Sequence, residues 1–166
     1  WRYLGEMDQV DANCNEMLRR FGKADDPQTA HIVVGASLQH IGREITPEVE
    51  QLVDLSVQNE HPSHFRDKGL LHFRRGEYVE AEMWLSKANV ASIVSPGRMH
   101  TLYYLALVHW QRGNEEDARE AVRVASVIRD QLKDMFTQDD RGPEWYEWLG
   151  AEATRREAEQ VIKSRS

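Results

Sequence analysis

The sequence predicts an all-α chain, a right-handed solenoid of antiparallel helical hairpins closed by a C-terminal capping helix. Three observations predict it. The first is an internal repeat. A shift of 37 residues carries Gly69 onto Ala106, Gly76 onto Gly113, Ala81 onto Ala118 and Ala88 onto Ala125. Larger apolar positions follow, with Phe65 on Leu102, Phe73 on Trp110 and Leu85 on Val122. A period of this size marks stacked helical hairpins. The second observation is the recurrence of apolar residues at i, i+3, i+4 and i+7, the pattern of a helix with one buried stripe. The third is punctuation, since prolines and turn glycines separate the periodic segments.

The elements follow in order. Residues 1–4 read as the tail of a helix, ended by Gly5. Residues 7–21 form a helix with Met7, Val10, Cys14, Met17, Leu18 and Phe21 on one stripe and Gly22 as a left-handed cap. Asp25-Asp26-Pro27 opens a second helix, because a side-chain acceptor satisfies exposed N–H groups and proline presets φ in the first turn. Ala30, Val33, Val34, Ser37, Leu38 and Ile41 face its interior, and Gly42 stops it. Thr46-Pro47-Glu48 starts a third helix with Val49, Leu52, Val53 and Val57 on its stripe, ended by His61-Pro62-Ser63. Residues 1–61 are thus degenerate hairpins.

The two repeat copies are residues 62–98 and 99–136. In each, the first helix ends in a basic or polar turn and a glycine: Arg74-Arg75-Gly76 and Gln111-Arg112-Gly113. The second helix opens on acids, Glu77 with Glu80 and then Glu115-Glu116-Asp117. Cations at a helix C-terminus and anions at an N-terminus each contribute about 0.3–1 kcal/mol, which accounts for these charges. The second copy's last helix is extended, to about Phe136. After a polar loop, residues 143–163 form a capping helix with Trp145, Trp148, Leu149, Ala153, Ala158 and Val161 available to pack. Strand signals are confined to 32–34, inside a helical stripe, and 93–94, which lead into the helix start at Ser95-Pro96-Gly97.

Bulk properties limit the function. The chain has 166 residues, one domain or one solenoid segment by length, and a net charge of −7. Nucleic acid and anionic membrane surfaces are poor partners for it, because both call for clustered positive charge. Its single cysteine, Cys14, forms no intramolecular disulfide and reads as a small buried hydrophobe, which fits a cytoplasmic location. No run reaches the roughly 18 apolar residues of a membrane span. The chain starts at Trp1 rather than methionine and reads as part of a longer protein.

At Gly69, Gly76, Tyr78, Ala81, Leu85 and Ala88 the sequence resembles the tetratricopeptide repeat. That family sets a small residue midway through its first helix, glycine at the turn, an aromatic after it, and alanine where the helices cross. Ala106, Gly113, Ala118, Val122 and Ala125 hold these places in the second copy, where Glu115 replaces the aromatic. The period is 37 rather than 34, and the extra residues fall within 91–98. The resemblance covers about 62–125. The segments MLRRFGKADDPQTA and FRDKGLLHFRRGEYVEAEMWLSKA, with Trp145, Trp148 and Arg155-Arg156-Glu157-Ala158-Glu159, are also similar to the C-terminal repeat arrays of bacterial eukaryotic-type serine/threonine protein kinases.

The resemblance implies a concave face lined by the first helix of each hairpin. Position by position it supplies Ser63, Arg66, Leu70, Phe73 and Arg74, then His100, Tyr103, Leu107, Trp110 and Gln111. Aromatics and arginine dominate binding hot spots. The expected function is therefore non-catalytic protein–protein interaction or scaffolding, as a regulatory part of a bacterial signalling protein such as a serine/threonine kinase. Its groove would take a protein, peptide or helix, an acidic one included, contacted by Arg66 and Arg74. The bland reading of the same side chains is packing between hairpins and solvated arginines. Where chaperone-binding members begin a carboxylate clamp, Arg66 and Leu70 stand here. Neither His61-Pro-Ser-His64 nor the repeat-equivalent His72 and His109 belongs to a His-Glu-x-x-His pattern, so no metal and no cofactor is expected. No G-x-S-x-G or phosphate-cradling glycine loop occurs, so the chain reads as no enzyme. The alternatives are self-association into a homodimer through apolar surface near Trp1, and a cryptic hydrolase or metal-dependent enzyme.

Overall fold

A computed structural model describes residues 7–38, 44–137 and 145–163. The expected helix tail at 1–4, Ile41, Gly42 and most of the polar loop lie outside the described residues, as do the side chains of Met7 and Val10. The helices are α1 (Met7–Phe21), α2 (Pro27–Leu38), α3 (Pro47–Ser56), α4 (Pro62–Arg74), α5 (Tyr78–Ala88), α6 (Pro96–Gln111), α7 (Glu115–Thr137) and α8 (Trp145–Lys163), with a 3-10 turn at Val57–Asn59. No strand occurs among the described residues, and 32–34 lie inside α2.

The helix starts follow from local chemistry. α2, α3, α4 and α6 all begin on proline, whose missing N–H is no loss in a first turn. The preceding side chain accepts from an exposed N–H in each case. Asp26 Oδ1 takes Thr29 N–H at 2.8 Å, Thr46 Oγ1 takes Val49 N–H at 3.4 Å, and Ser95 Oγ takes Arg98 N–H at 3.2 Å. His61 does the same through Nδ1, which accepts from Ser63 N–H at 3.3 Å.

α4 and α6 end in the same way. Gly76 and Gly113 have φ of 76° and 78°, a left-handed conformation that glycine adopts without Cβ strain. Gly76 N–H donates to Phe73 O at 3.0 Å and Glu77 N–H to His72 O at 3.0 Å; Gly113 N–H donates to Trp110 O at 3.0 Å and Asn114 N–H to His109 O at 2.9 Å. Each pair is a Schellman motif, which satisfies the last carbonyls of the helix and turns the chain. The cation before each glycine reaches a neighbouring helix, Arg75 to Glu50 of α3 and Arg112 to Glu82 of α5. Gly22 differs from the expectation. It is not left-handed, and its N–H continues α1 by bonding Leu18 O at 2.7 Å. A Cβ there would strike the Leu18 carbonyl and the Glu48 carboxylate, so close approach is what requires glycine.

The core forms where these helices meet. α4 packs on α5, α6 on α7, and α2 on α3. A Cβ on Gly69 would lie 2.6 Å from Leu85 Cγ and 3.1 Å from the Leu85 backbone nitrogen, so α5 approaches α4 closely at this point. Ala81, Leu85, Ala106, Ala118 and Ala125 are wholly enclosed. The α2 stripe of Ala30, Val33, Val34, Ser37 and Leu38 is buried as its spacing requires. In α1, Cys14 and Leu18 are buried, but Phe21 at the helix end is 46% exposed. α6 is central: it touches α4, α5, α7 and α8, and every residue of 99–108 is buried. α8 lies mainly on α6, burying Trp148, Ala151 and Ala158, while Trp145 remains exposed and Ala153 half-buried.

Candidate functional site

Most of the positions carried over from the repeat resemblance are enclosed rather than open. Leu70, His100, Tyr103, Leu107 and Trp110 are buried. Phe73 is half-buried near the Tyr78 and Tyr104 rings, with centroids 6.0 and 6.3 Å away. Gln111 is exposed. The physical reason is enclosure of α6, with α8 lying across it. Residues 102–108 read LYYLALV, and a helix apolar on every side belongs inside. Arg74 donates from Nη1 to the carbonyls of Ser37 and Leu38, at 3.3 and 3.2 Å. It caps the C-terminus of α2, where a cation meets the negative end of the helix dipole.

Arg66 joins a buried polar cluster. Its Nη2 donates to Glu147 Oε1 at 2.8 Å and its Nη1 to Gly97 O at 3.4 Å. Burial opposes the charge on Arg66, but Glu147 and Asp67 outweigh it and raise its affinity for the proton. Burial likewise opposes ionisation of Glu147, but Arg66 outweighs it and holds its carboxyl well below the usual range. His100 is 1% exposed, with Nε2 3.0 Å from Thr154 Oγ1. The Thr154 hydroxyl donates to Gly150 O at 3.1 Å, so its oxygen accepts from His100 Nε2–H and the network assigns that tautomer. His100 Nδ1 then faces Glu147 Oε2 at 3.6 Å, and neither atom has a hydrogen-bond partner. Burial depresses the His100 pKa and favours the neutral ring.

Beside this cluster lies an open cleft in two adjoining halves, of about 490 and 510 Å³. Gln28, His31, Arg66, Tyr146 and Glu147 line both halves. Met17, Ile32, Gly35 and Ala36 add apolar walls to one. The other lies among the first turns of α4 and α6, at His61, Ser63, His64, Gly97, Arg98 and Thr101. Arg98 is held by Nε on Asn89 Oδ1 at 3.0 Å and Nη1 on Ile93 O at 3.1 Å.

Three imidazoles meet there. His31 Nδ1 sits 2.6 Å from Asp67 Oδ2, an arrangement in which the carboxylate fixes the ring and leaves Nε2 for proton transfer or hydrogen bonding. The His64 ring lies 4.4 Å from that of His31. Its Nδ1 donates to Ser56 O at 2.7 Å, and burial lowers its pKa. His61 Nδ1 accepts from Ser63, so its proton in the neutral ring is on Nε2. Among the described residues, no group of three or more His, Cys, Asp or Glu side chains is placed to hold a metal ion, and no helix is long and apolar enough to cross a membrane.

Of the cleft residues, sequence reasoning singled out Arg66 and Ser63, and His61 and His64 only to set a metal aside, and missed His31, Arg98, Tyr146 and Glu147, with Asp67 behind His31. A signal existed. Prolines 27, 62 and 96 place Gln28, Ser63 and Gly97 at matching first-turn positions, and these positions gather at one cleft. Compared with family models, curated proteins and solved structures, the chain matches none of them.

Proposed function

We propose that this chain is a tetratricopeptide-like interaction module: a right-handed stack of antiparallel hairpins, capped by α8, that binds a segment of another protein and performs no chemistry on it. The repeat reading is supported by the two Schellman turns 37 positions apart, with matching φ and matching hydrogen bonds, and by the enclosed small residues at equivalent positions. In such a module the binding face lies at the cleft, not along the enclosed strip Tyr103, Leu107 and Trp110. The kinase-array resemblance suggests a regulatory role within a bacterial signalling protein.

The single observation that carries the binding reading is the cleft itself. Its volume falls in the range of ligand sites, roughly 300–1,000 Å³, and its rim presents Ile32 at 55% and Tyr146 at 60% exposure. Exposed aromatic and aliphatic side chains beside a concave surface are suited to a partner's side chains. Peptide display on the immobilised chain tests this. Enriched peptides are expected to bind the wild type about tenfold more tightly than an Ile32→Glu, Tyr146→Glu double variant, a difference of about 1.4 kcal/mol. No enrichment, or equal binding to both, contradicts the reading. Self-association is a second reading, favoured by Val79 and Met83, both exposed one turn apart on α5. A concentration-dependent mass in sedimentation equilibrium that a Met83→Lys variant abolishes would support it.

A further inference from the structure

We propose that the cleft recognises an acidic peptide: a carboxylate held by Arg98 and His61, beside an apolar side chain seated against Ile32 and Tyr146. The inference rests on the binding-module reading above and names the partner of the same site.

Charge selects the acid. The chain carries a net charge of −7; the formally charged side chains lining the cleft are Arg66, Arg98 and Glu147, with Asp67 buried behind His31. Glu147 is already committed to Arg66 and Asp67 to His31, which leaves Arg98 as the cation lining the cleft that makes no ion pair among the described residues. Its guanidinium is fixed by Asn89 and the Ile93 carbonyl through Nε and Nη1. Nη2 has no partner among the described residues, and because the other two groups are held, little side-chain entropy remains to be lost on binding. His61 presents a second donor at Nε2, because Ser63 occupies Nδ1. The first turns of α4 and α6 border the same space, and their positive dipole ends favour an anion.

A bare inorganic anion does not account for the rest of the cleft. His64 lines it and is 1% exposed. Its Nδ1 donates to Ser56 O, so in the neutral ring Nε2 is an acceptor, and it has no partner among the described residues. A peptide offers backbone N–H groups for such an acceptor and a carboxylate for Arg98. The adjoining half, walled by Met17, Ile32 and Ala36, has room for an apolar side chain.

The test uses the whole chain, labelled, on heptapeptide pools degenerate at every position except the centre, fixed in turn as Asp, Asn, Lys or phosphoserine. The Asp pool is expected to retain about tenfold more protein than the Asn or Lys pools, the effect of one charge-assisted hydrogen bond. Raising salt from about 50 to about 500 mM should reduce that excess. Arg98→Ala should lower the Asp signal to the Asn level. Arg98 also holds the loop before α6, so Ile32→Glu provides a second variant at an exposed position; it should lower the Asp signal without changing the unfolding midpoint. Equal retention on Asp, Asn and Lys pools overturns the acidic partner while leaving a peptide-binding module in place. Signal on the phosphoserine pool alone overturns the carboxylate. Retention on no pool overturns the proposal, and the display experiment separately decides the module reading.

Discussion

The guanidinium of Arg66 and the carboxylate of Glu147, 81 residues apart in sequence, meet at 2.8 Å in the interior and tie α4 to α8. Removing one partner of such a pair strands a buried charge, at a cost of about 3–5 kcal/mol, whereas apolar replacement of both is often near neutral. Glu147→Gln is therefore expected to lower stability by that amount in urea unfolding, and an Arg66→Met, Glu147→Leu double variant to recover most of it. A loss below about 1 kcal/mol for Glu147→Gln would mean that the pair does not hold α8 in place.

Two helical glycines should respond oppositely to alanine. Gly35 in α2 has nothing within 4 Å of a built Cβ, so Gly35→Ala should stabilise by about 0.5–1 kcal/mol through helix propensity. At Gly69 the same change drives a methyl into Leu85 Cγ and toward its backbone nitrogen. Overpacking of that kind costs about 1–3 kcal/mol, so Gly69→Ala should destabilise. Thermal unfolding of the two variants gives shifts of opposite sign if the close crossing of α4 and α5 is right.

At Gly76 and Gly113 a Cβ would touch nothing. The penalty there comes from the left-handed backbone alone, about 1–2 kcal/mol for an L-residue with a side chain. Because the φ values are 76° and 78°, Gly76→Ala and Gly113→Ala should cost nearly the same. Unequal losses in denaturant titrations would show that the two turns are not equivalent.

Mild acid should destabilise the fold through its buried histidines. Burial lowers the pKa of His64, His100 and His109 below the ordinary value of 6.5. Below pH 6.5 the unfolded chain takes up protons at these rings while the folded chain does not, so stability falls as pH drops from 6.5 toward the folded-state values. Well above 6.5 all three are neutral in both states and contribute no slope. The stability of His100→Gln should fall less than that of wild type between pH 7 and pH 5, measured by urea unfolding. An equal fall in both would contradict a neutral buried His100.

Much of the fold was legible because it is local. Pro47, Pro62 and Pro96 start helices where first-turn chemistry places them, and Gly76 and Gly113 turn the chain where the repeat demanded it. The stripe of α2 follows from spacing alone. The site was far less legible. Nothing in the spacing of Arg66 points to Glu147, since a pairing across 81 residues leaves no local mark. Arg74 reads as a groove contact until the C-terminus of α2 is seen beneath it. The enclosure of Tyr103 and Leu107 was readable from the unbroken apolar run at 102–108, but the family's concave face suggested exposure instead.

The most direct test of the binding cleft is hydrogen exchange of the whole chain with and without a peptide enriched by display. Bound peptide is expected to slow exchange at the first turns of α2, α4 and α6, around residues 28–32, 63–66 and 97–101, and to leave the exposed face of α5 at Val79 and Met83 unchanged. Protection confined to α5, or no change at the three first turns, would contradict the account.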